Sequence, residues 1–435
     1  MRTLDREIVN RVRERMSRDS GLIYLSDEEF YTRIHEYVEE MIGNESRLSE
    51  MKDITNYISI SDRVEIECCV ADYIRGFGPL GELLRDESVT EIMANRYDEI
   101  FVERDGRMEL SDVKFESVEN MESIMQRIAA EDGKEINQAN PMADAMLSDG
   151  SRVNMTFPPI TLDGPTITIR KFPTETMTAE KLIEYGTLTE ELAYILGAMV
   201  RSRYNILISG GTSSGKTSFL NAMSGYILPD ERIITIEDSA ELKLLGIKNY
   251  IRMTKRYENS SGTGEVTIRQ LIRNALRMTP TRIIVGEVRG AEALDMLQAM
   301  NTGHDGSMST AHANSTEAML SRLGEMISEG NNGFSDTTIQ KQIASSLDII
   351  IQLTRDLNGN RRVAEITEVE GYDENGVKLN RLYITDEYGQ LVPTGSRLKK
   401  SFKLKNAGYG EVLSFLIEND NVMQFDPVLE TNCNL

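Results

Sequence analysis

One segment combines glycines, a lysine and hydroxyl side chains at the spacing that binds phosphate. Residues 210–217 read Gly-Gly-Thr-Ser-Ser-Gly-Lys-Thr and match the pattern G-x-x-x-x-G-K-[ST], between an apolar strand and a helix. Backbone N–H groups and the helix N-terminus attract the β-phosphate, Lys216 neutralises β- and γ-oxygens, and Thr217 can ligate Mg²⁺. The pattern predicts a nucleotide site whose binding residues are Gly210, Gly211, Thr212, Ser213, Ser214, Gly215, Lys216, Thr217 and Ser218.

Acidic side chains follow two further apolar strands. In an open parallel sheet the ligand lies beyond the carboxyl ends of the strands, where Glu237 and Glu287 stand. A hydrolysis-site strand typically ends in Asp-Glu, whereas here Gly286 takes the Asp position. We expect Glu287 to polarise water, directly or through Mg²⁺, and Glu237 to supply the second carboxylate, so that Thr217, Glu237 and Glu287 are the predicted metal ligands.

Two of the three histidines fall in one glycine-rich segment, residues 302–312. A short strand that ends at His312 would bring its imidazole to the same edge as Glu237 and Glu287, with His304 on the preceding turn. Both histidines are candidates for sensing the γ-phosphate or coupling it to a neighbouring subunit. Zinc is disfavoured because no third ligand lies at metal spacing.

Charge and composition limit the classes of partner that the protein can bind. The 435 residues include 48 basic and 70 acidic side chains, so the net charge is −22. This charge repels phosphate backbones and anionic lipid, which argues against nucleic acid as the main partner and against direct membrane binding. Three cysteines are too few for a disulfide framework or a four-thiolate zinc module. No long apolar run or signal peptide is apparent, and we expect a cytoplasmic protein.

The hydrophobic pattern predicts four regions. Residues 1–75 have helical periodicity, residues 76–175 are typical of an α+β domain, residues 176–365 alternate apolar strands with helices, and residues 366–435 indicate β-hairpins. The expected strands of the second region are 89–94, 99–103, 144–147, 152–157 and 166–170. Those of the third region are 205–209, 232–236, 282–285, 307–312 and 348–353. The last region contains a basic run, 397–405, which is a candidate for docking on a partner.

Four ordered segments resemble the motifs of a known family. They are the phosphate loop at 210–217, Thr235-Ile-Glu-Asp238, Gly286-Glu-Val-Arg-Gly290 and 302–314. Together they resemble the Walker A motif, Asp box, Walker B motif and His box of the type II/IV secretion ATPases. Segments 76–80, 89–93, 149–154 and 169–172 resemble the CpaF-like branch, which powers Tad/Flp-type pili. The resemblance implies a RecA-like P-loop ATPase core in an α/β chain, with an N-terminal α+β domain and a leading small helical domain.

The same resemblance implies how the protein works. It implies a ring, with a homo-hexamer expected, that hydrolyses ATP with Mg²⁺ and drives pilus or related filament assembly through an inner-membrane platform protein. The chain would then be peripheral at the cytoplasmic membrane. In this family, arginines of the N-terminal domain reach the nucleotide, and the matching positions are Arg152 and Arg170. The chain departs from the family at Thr279 and Thr281, where an Arg and an Asp are usual.

Other functions stay open on the sequence alone. The nearest alternative is the ATPase of a conjugative or type IV secretion apparatus. A RecA-like nucleic-acid motor is more distant, because 6% aromatic residues and the acidic charge do not suit strand binding. A scaffold that binds nucleotide without hydrolysis, and a small-molecule kinase, are further alternatives.

Overall fold

The structure, a computed structural model, describes residues 3–16, 25–50, 58–104, 106–172, 176–257, 263–330, 333–356 and 359–416. Side chains are described within these ranges except at 3–7, 43–50 and 415. The chain divides into two compact units, Met1–Phe172 and Pro173–Leu435. Each unit is described by itself.

The first unit begins with three helices that bury one apolar stripe each. They are α1 (Thr3–Met16), α2 (Asp27–Glu50) and α3 (Ile60–Ile74). A capping box starts α2, where the backbone N–H of Ser26 donates to Glu29 at 2.9 Å. Ile8, Phe30 and Ile34 are buried in a common core, as their helical spacing predicts.

An antiparallel sheet forms the rest of the first unit. Its strands lie in the order β3-β2-β1-β6-β5-β4. The elements are α4 (Leu80–Arg85), β1 (Val89–Arg96), β2 (Glu99–Arg104), β3 (Arg107–Leu110), α5 (Val118–Glu131), β4 (Met142–Met146), β5 (Arg152–Thr156) and β6 (Thr166–Arg170). The apolar stripe of α5 shares a core with inward-facing strand residues such as Ile92 and Ile169. All five predicted strands of this region are therefore confirmed, and β3 is an additional, fully exposed edge strand.

The second unit is built on a nine-stranded sheet in the order β15-β14-β13-β12-β7-β11-β10-β8-β9. Six strands are parallel: β7 (Ile206–Gly210), β8 (Ile233–Glu237), β9 (Tyr250–Thr254), β10 (Arg282–Val285), β11 (Met308–His312) and β12 (Ile349–Arg355). The antiparallel strands are β13 (Arg361–Asp373), β14 (Gly376–Thr385) and β15 (Leu391–Pro393).

Helices cover both faces of this sheet. They are α6 (Ala179–Glu184), α7 (Glu190–Arg201), α8 (Lys216–Ser224), α9 (Ile268–Ala275), α10 (Glu292–Asn301), α11 (Thr316–Gly330), α12 (Asp336–Ser346), α13 (Phe402–Asn406) and α14 (Val412–Phe415). Along β7, Ile206 and Ile208 enter one core and Leu207 enters the other, so the strand is buried on both sides. The predicted α/β class and its five parallel strands are confirmed. The half-exposed edge strand β9 lacks the continuous apolar run used to find the others.

The C-terminal region differs in part from its predicted β character. Hairpins are present as predicted, with turns at Asn375-Gly376 and Tyr388-Gly389, and β13 crosses the expected boundary between the third and fourth regions at residue 365. Beyond β15, however, the chain forms α13 and α14, and residues 417–435 lie outside the described ranges. Lys400 and Lys403 of the basic run contact the buried carboxylate of Asp348 at 2.9 and 2.6 Å. These two lysines therefore anchor the segment to its own unit, which weakens the idea that the run docks on a partner.

None of the helices within the described ranges has both the length and the apolar composition needed to cross a bilayer.

Candidate active site

The predicted phosphate loop lies between β7 and α8, at the centre of the parallel strands. Gly215 has φ +87° and caps α8, and Ser213 also has a positive φ of 57°. A Cβ at Gly210 would lie 2.4 Å from Oγ of Ser214 and 2.9 Å from the carbonyl oxygen of Leu353. Glycine is therefore required at both ends of the turn, by conformation at one and by space at the other. The nine predicted binding residues form one continuous loop and helix start.

Lys216 is almost buried and lies against His312. Its Nζ donates to the carbonyl oxygens of Gly210 and Gly211 at 3.1 and 2.8 Å and lies 3.2 Å from Nδ1 of His312. An ammonium group can only donate, so Nδ1 is the acceptor and the imidazole proton is on Nε2. Burial lowers the pKa of His312, and the nearby Lys216 charge lowers it further, against the opposing effect of Glu287. The imidazole is therefore neutral at pH 7.

The protonated nitrogen of His312 faces Glu287. Nε2 lies 2.9 Å from Oε1, although the N–H is not aligned with that oxygen as a hydrogen bond. The other oxygen, Oε2, accepts a 2.7 Å hydrogen bond from Arg289. Because β10 and β11 are parallel neighbours, their carboxyl ends share one edge, which confirms the predicted meeting of His312 with Glu287. A series of side-chain contacts thus leads away from the loop, from Lys216 through His312 and Glu287 to Arg289.

Glu237 is the last residue of β8, beside these contacts, and is only 3% exposed. Its Oε1 accepts hydrogen bonds from the backbone N–H groups of Glu241 and Leu242, both at 2.9 Å. Its Oε2 is buried and has no hydrogen-bond partner among the described residues. Burial raises the pKa of Glu237 to about 7, against the two backbone bonds that lower it. The carboxyl group is therefore poised to exchange a proton near neutral pH.

The position of Glu237 explains the glycine in the Walker B-like segment. A Cβ at Gly286 would lie 3.0 Å from Cγ of Glu237, which is tighter than ordinary van der Waals contact. A side chain at residue 286 would require Glu237 to shift by a few tenths of an ångström. Glycine at this position therefore leaves space beside the second carboxylate.

The predicted metal ligands suit Mg²⁺ in their chemistry. Thr217 lies in the first turn of α8, and Glu237 and Glu287 follow adjacent parallel strands. The buried Oε2 of Glu237 and the poorly satisfied Oε1 of Glu287 are oxygen acceptors, which Mg²⁺ prefers. The described residues contain no cluster of three or more His, Cys, Asp or Glu side chains that would hold a metal alone. Mg²⁺ in nucleotide sites is commonly bound through one or two carboxylates together with substrate phosphates.

His304 is placed away from this site, contrary to its prediction as a catalytic residue. It precedes β11, and its Nδ1 lies 3.3 Å from the carbonyl oxygen of Ala299. The phosphate loop lies at the other end of β11, beside His312. Five strand residues span about 13 Å, so two histidines that are close in sequence lie beyond opposite ends of β11.

Arg152 and Arg170 belong to the first unit, where β5 and β6 make them direct cross-strand partners. Arg170 also lies 3.9 Å from Glu91 on β1. The first unit therefore brings together two cations from strands joined by a long loop. Their approach to a nucleotide stays a prediction.

Three residues near the site were not singled out from the sequence as site residues. Arg289 donates a hydrogen bond to Glu287. Because it is only two residues from that carboxylate, this pairing could have been predicted from the sequence. Lys255 of the segment after β9 contacts Asp238 at 2.6 Å, which gives Asp238 an ion-pair partner rather than a metal. Arg361, at the start of β13, donates from Nε to the carbonyl oxygen of Ser213 at 3.1 Å. No sequence pattern connects Arg361 to a loop nearly 150 residues earlier.

The two family departures, Thr279 and Thr281, differ in their local structure. The hydroxyl of Thr281 accepts a 3.0 Å hydrogen bond from the backbone N–H of Arg232. Thr279 has φ +54°, which is unfavourable for a β-branched residue. Thr281 is therefore a local structural residue, and Thr279 is a site of backbone strain.

Comparisons with known proteins agree with the motifs at the family level. The family model described as type II/IV secretion system protein matches residues 74–386. A putative conjugal transfer protein of Mycobacterium tuberculosis is 34% identical over 299 residues, which are 67% of this chain and 84% of that protein. The conjugal transfer protein TrbB of Rhizobium radiobacter is 33% identical over 312 residues, or 71% of this chain and 90% of that protein.

Among solved structures, the VirB11 ATPase of the Brucella suis type IV secretion system is 28% identical and covers 67% of this chain and 95% of its own, with a TM-score of 0.37. These three proteins carry names from conjugation and type IV secretion, and none of the three is named for a Tad/Flp pilus. The family match covers well over half of the chain and includes the phosphate loop, the two carboxylates and His312. This chain belongs to the type II/IV secretion system protein family and is an ATPase.

Proposed function

We propose that this ATPase powers a conjugative or type IV secretion apparatus, and that Glu237 and Glu287 divide the chemistry of hydrolysis between them. The observation that carries the catalytic part is the meeting of Lys216, His312, Glu287 and Glu237 at one edge of the sheet. The names of the relatives support the apparatus. The conjugative alternative therefore takes the place of the pilus motor as the leading candidate.

Binding of ATP starts from the phosphate loop. Backbone N–H groups of residues 211–217 and the start of α8 face the phosphates, as in other loops of this pattern. Without nucleotide, Lys216 donates hydrogen bonds to loop carbonyl oxygens and to His312. We expect it to donate to the β- and γ-phosphate oxygens instead when nucleotide binds. Mg²⁺, held through Thr217 and Glu287, would neutralise charge on the same oxygens.

Hydrolysis needs a proton acceptor for the attacking water. Glu237 suits this role, since its buried Oε2 has no donor among the described residues and its pKa is about 7. The water oxygen bonds to the γ-phosphorus, the bond from that phosphorus to the bridging oxygen breaks, and ADP leaves with the electron pair. The water proton passes to Glu237 and then to solvent. Glu287, held by Arg289, lies 2.9 Å from Nε2 of the neutral imidazole of His312, whose Nδ1 accepts from Lys216 at the loop.

The remaining parts of the proposal concern assembly. Arg152 and Arg170 would add positive charge over the transferring phosphoryl group, where a planar guanidinium is effective. We propose a homo-hexameric ring on the cytoplasmic side of the membrane, with an inner-membrane platform protein as its partner. A Tad/Flp-type pilus is the second candidate for the machine, supported by the resemblance of residues 76–80 and 149–154 to that branch.

Phosphate release by the purified protein tests the catalytic part. Glu237→Gln and Glu287→Gln should each lower kcat at least about 100-fold while ATP still binds, because both remove a charge used after binding. Lys216→Ala should abolish ATP binding. Glu265→Gln, an exposed acidic residue of the same unit, is the matched control and should hydrolyse ATP like the parent. Hydrolysis at the parental rate by Glu287→Gln would contradict the assignment of that residue.

The identity of the apparatus that this ATPase powers is tested in the cells that produce the protein. The membrane proteins that co-purify with the Glu287→Gln variant in the presence of ATP should be components of a conjugation or type IV secretion channel. Recovery of a pilus platform protein instead would favour the second candidate. Recovery of neither, with single-stranded DNA stimulating hydrolysis, would overturn both.

A further inference from the structure

Arg361 contacts the phosphate loop from β13, a strand that carries no recognised motif. Its Nε donates to the carbonyl oxygen of Ser213 at 3.1 Å. Its Cδ lies so close to Gly215 that a Cβ on that glycine would be 2.9 Å away. One side chain thus touches both loop residues that have a positive φ, Ser213 and Gly215.

The hydrogen bond to Ser213 determines the direction of the next N–H. In a trans peptide group the C=O and N–H bonds point in opposite directions. When Arg361 holds the carbonyl oxygen of Ser213, the N–H of Ser214 must point away from Arg361. It does so, since it donates to the carbonyl oxygen of Gly211 at 3.4 Å, across the loop. The turn closed by this bond shapes the loop, whose following backbone N–H groups, from Gly215 to Thr217, are expected to face the α- and β-phosphates.

The backbone of Arg361 is itself held from two directions. The hydroxyl of Thr187, in the turn between α6 and α7, donates to the carbonyl oxygen of Arg361 at 2.9 Å. In the hairpin that precedes β13, the side chain of Asp356 accepts hydrogen bonds from the backbone N–H and the amide group of Asn360, at 2.8 and 3.0 Å. These bonds fix the backbone from which the Arg361 side chain extends. A side chain that orients a peptide group needs such a fixed backbone.

We propose that Arg361 is a positioning residue that sets the nucleotide affinity of the phosphate loop by orienting the Ser213–Ser214 peptide group. The proposal rests on the proposed nucleotide site at residues 210–218. It assigns a task in nucleotide binding to the β12–β13 hairpin, which no motif of the chain marks. Since the loop shaped by this peptide group binds the α- and β-phosphates, which ATP and ADP share, Arg361 affects both nucleotides alike.

The test compares nucleotide binding and hydrolysis by three substitutions of Arg361. Arg361→Met keeps an apolar stem against Gly215 but has no donor, Arg361→Ala removes both, and Arg361→Lys restores a donor and the charge. Arg361→Met and Arg361→Ala should raise the Kd for ATP and for ADP by a similar factor, about five- to tenfold, as expected for one lost hydrogen bond at an exposed site. KM for ATP should rise while kcat stays within about twofold. Arg361→Lys should recover part of the affinity.

The next residue along the strand supplies the control. Arg362 contacts Asp356 at 3.8 Å and the carbonyl oxygen of Gly389 at 3.5 Å, away from the loop, and Arg362→Ala should bind both nucleotides like the parent. Unchanged Kd values in Arg361→Ala would overturn the proposal. So would a loss confined to ATP, since that would make Arg361 a direct ligand of the γ-phosphate. Failure of the parent to bind either nucleotide would instead overturn the nucleotide site itself.

Discussion

Replacing Glu237 with glutamine is expected to make the nucleotide-free protein more stable at pH 8, although it removes the proposed proton acceptor. The carboxyl group is 3% exposed and one of its oxygens has no hydrogen-bond partner among the described residues. Ionisation of such a group is opposed by desolvation. A glutamine oxygen can still accept the two backbone N–H bonds from Glu241 and Leu242 without carrying charge.

The magnitude follows from the pKa of Glu237, which burial raises from 4.5 to about 7. Such a rise corresponds to about 3 kcal/mol of ionisation cost in the folded state. Between these two pH values the folded protein keeps a proton that the unfolded chain has lost, so the free energy of unfolding falls as pH rises. The cost is complete above about pH 7. The variant should therefore exceed the parent by about 3 kcal/mol at pH 8 and by about 1 kcal/mol at pH 5.

Urea unfolding of metal-free protein, followed by far-ultraviolet circular dichroism, measures this difference across the pH range. Comparing variant with parent at each pH cancels the titration of the other acidic groups. Glu265→Gln is the control, because this side chain is exposed and its replacement should leave the pH dependence unchanged. The reasoning is refuted if Glu237→Gln and the parent keep a constant difference from pH 5 to pH 8. A variant that is less stable at every pH would show that the carboxylate contributes favourable contacts when ionised.

Two further predictions concern stability away from the site. Arg282 is fully buried and pairs with Glu231 through two hydrogen bonds of 2.7 and 2.6 Å, so Arg282→Leu should lower the free energy of unfolding by about 3–5 kcal/mol. Arg203→Gln, which removes an exposed arginine 3.8 Å from the same carboxylate, should change it by less than about 1 kcal/mol, and an equal effect of the two variants in urea unfolding would contradict the role of burial. Thr279→Asn should raise the free energy of unfolding by about 1 kcal/mol, since asparagine tolerates φ +54° better than threonine does. A lower urea midpoint for Thr279→Asn would show that the threonine side chain makes up for its strain.

The parts of this protein that were predictable are those whose physical cause is local in sequence. A buried parallel strand must be apolar on both faces, so β7, β8, β10 and β12 stand out as continuous runs. The phosphate loop needs its glycines, lysine and hydroxyl within eight consecutive residues, so its pattern is complete in one segment. The carboxylates after two of these strands follow from the same rule about strand ends.

The remaining features depend on contacts between distant residues, which strand order decides. Because β11 lies beside β7, His312 reaches Lys216, while His304 falls at the far edge. Because β12 flanks β7 on its other side, the hairpin into β13 carries Arg361 to the loop.

Packing likewise decides features that a pattern does not contain. The glycine at residue 286 looks like a missing ligand in the sequence, and only the tertiary structure shows that it lies against the side chain of Glu237. Lys400 and Lys403 look like a docking surface, and only the buried Asp348 shows that they anchor their own segment. Composition and spacing predicted a phosphate loop beside two carboxylates. The tertiary structure decided which histidine, arginine and lysine side chains lie near that loop, because their neighbours are set by the order of strands in the sheet and by burial.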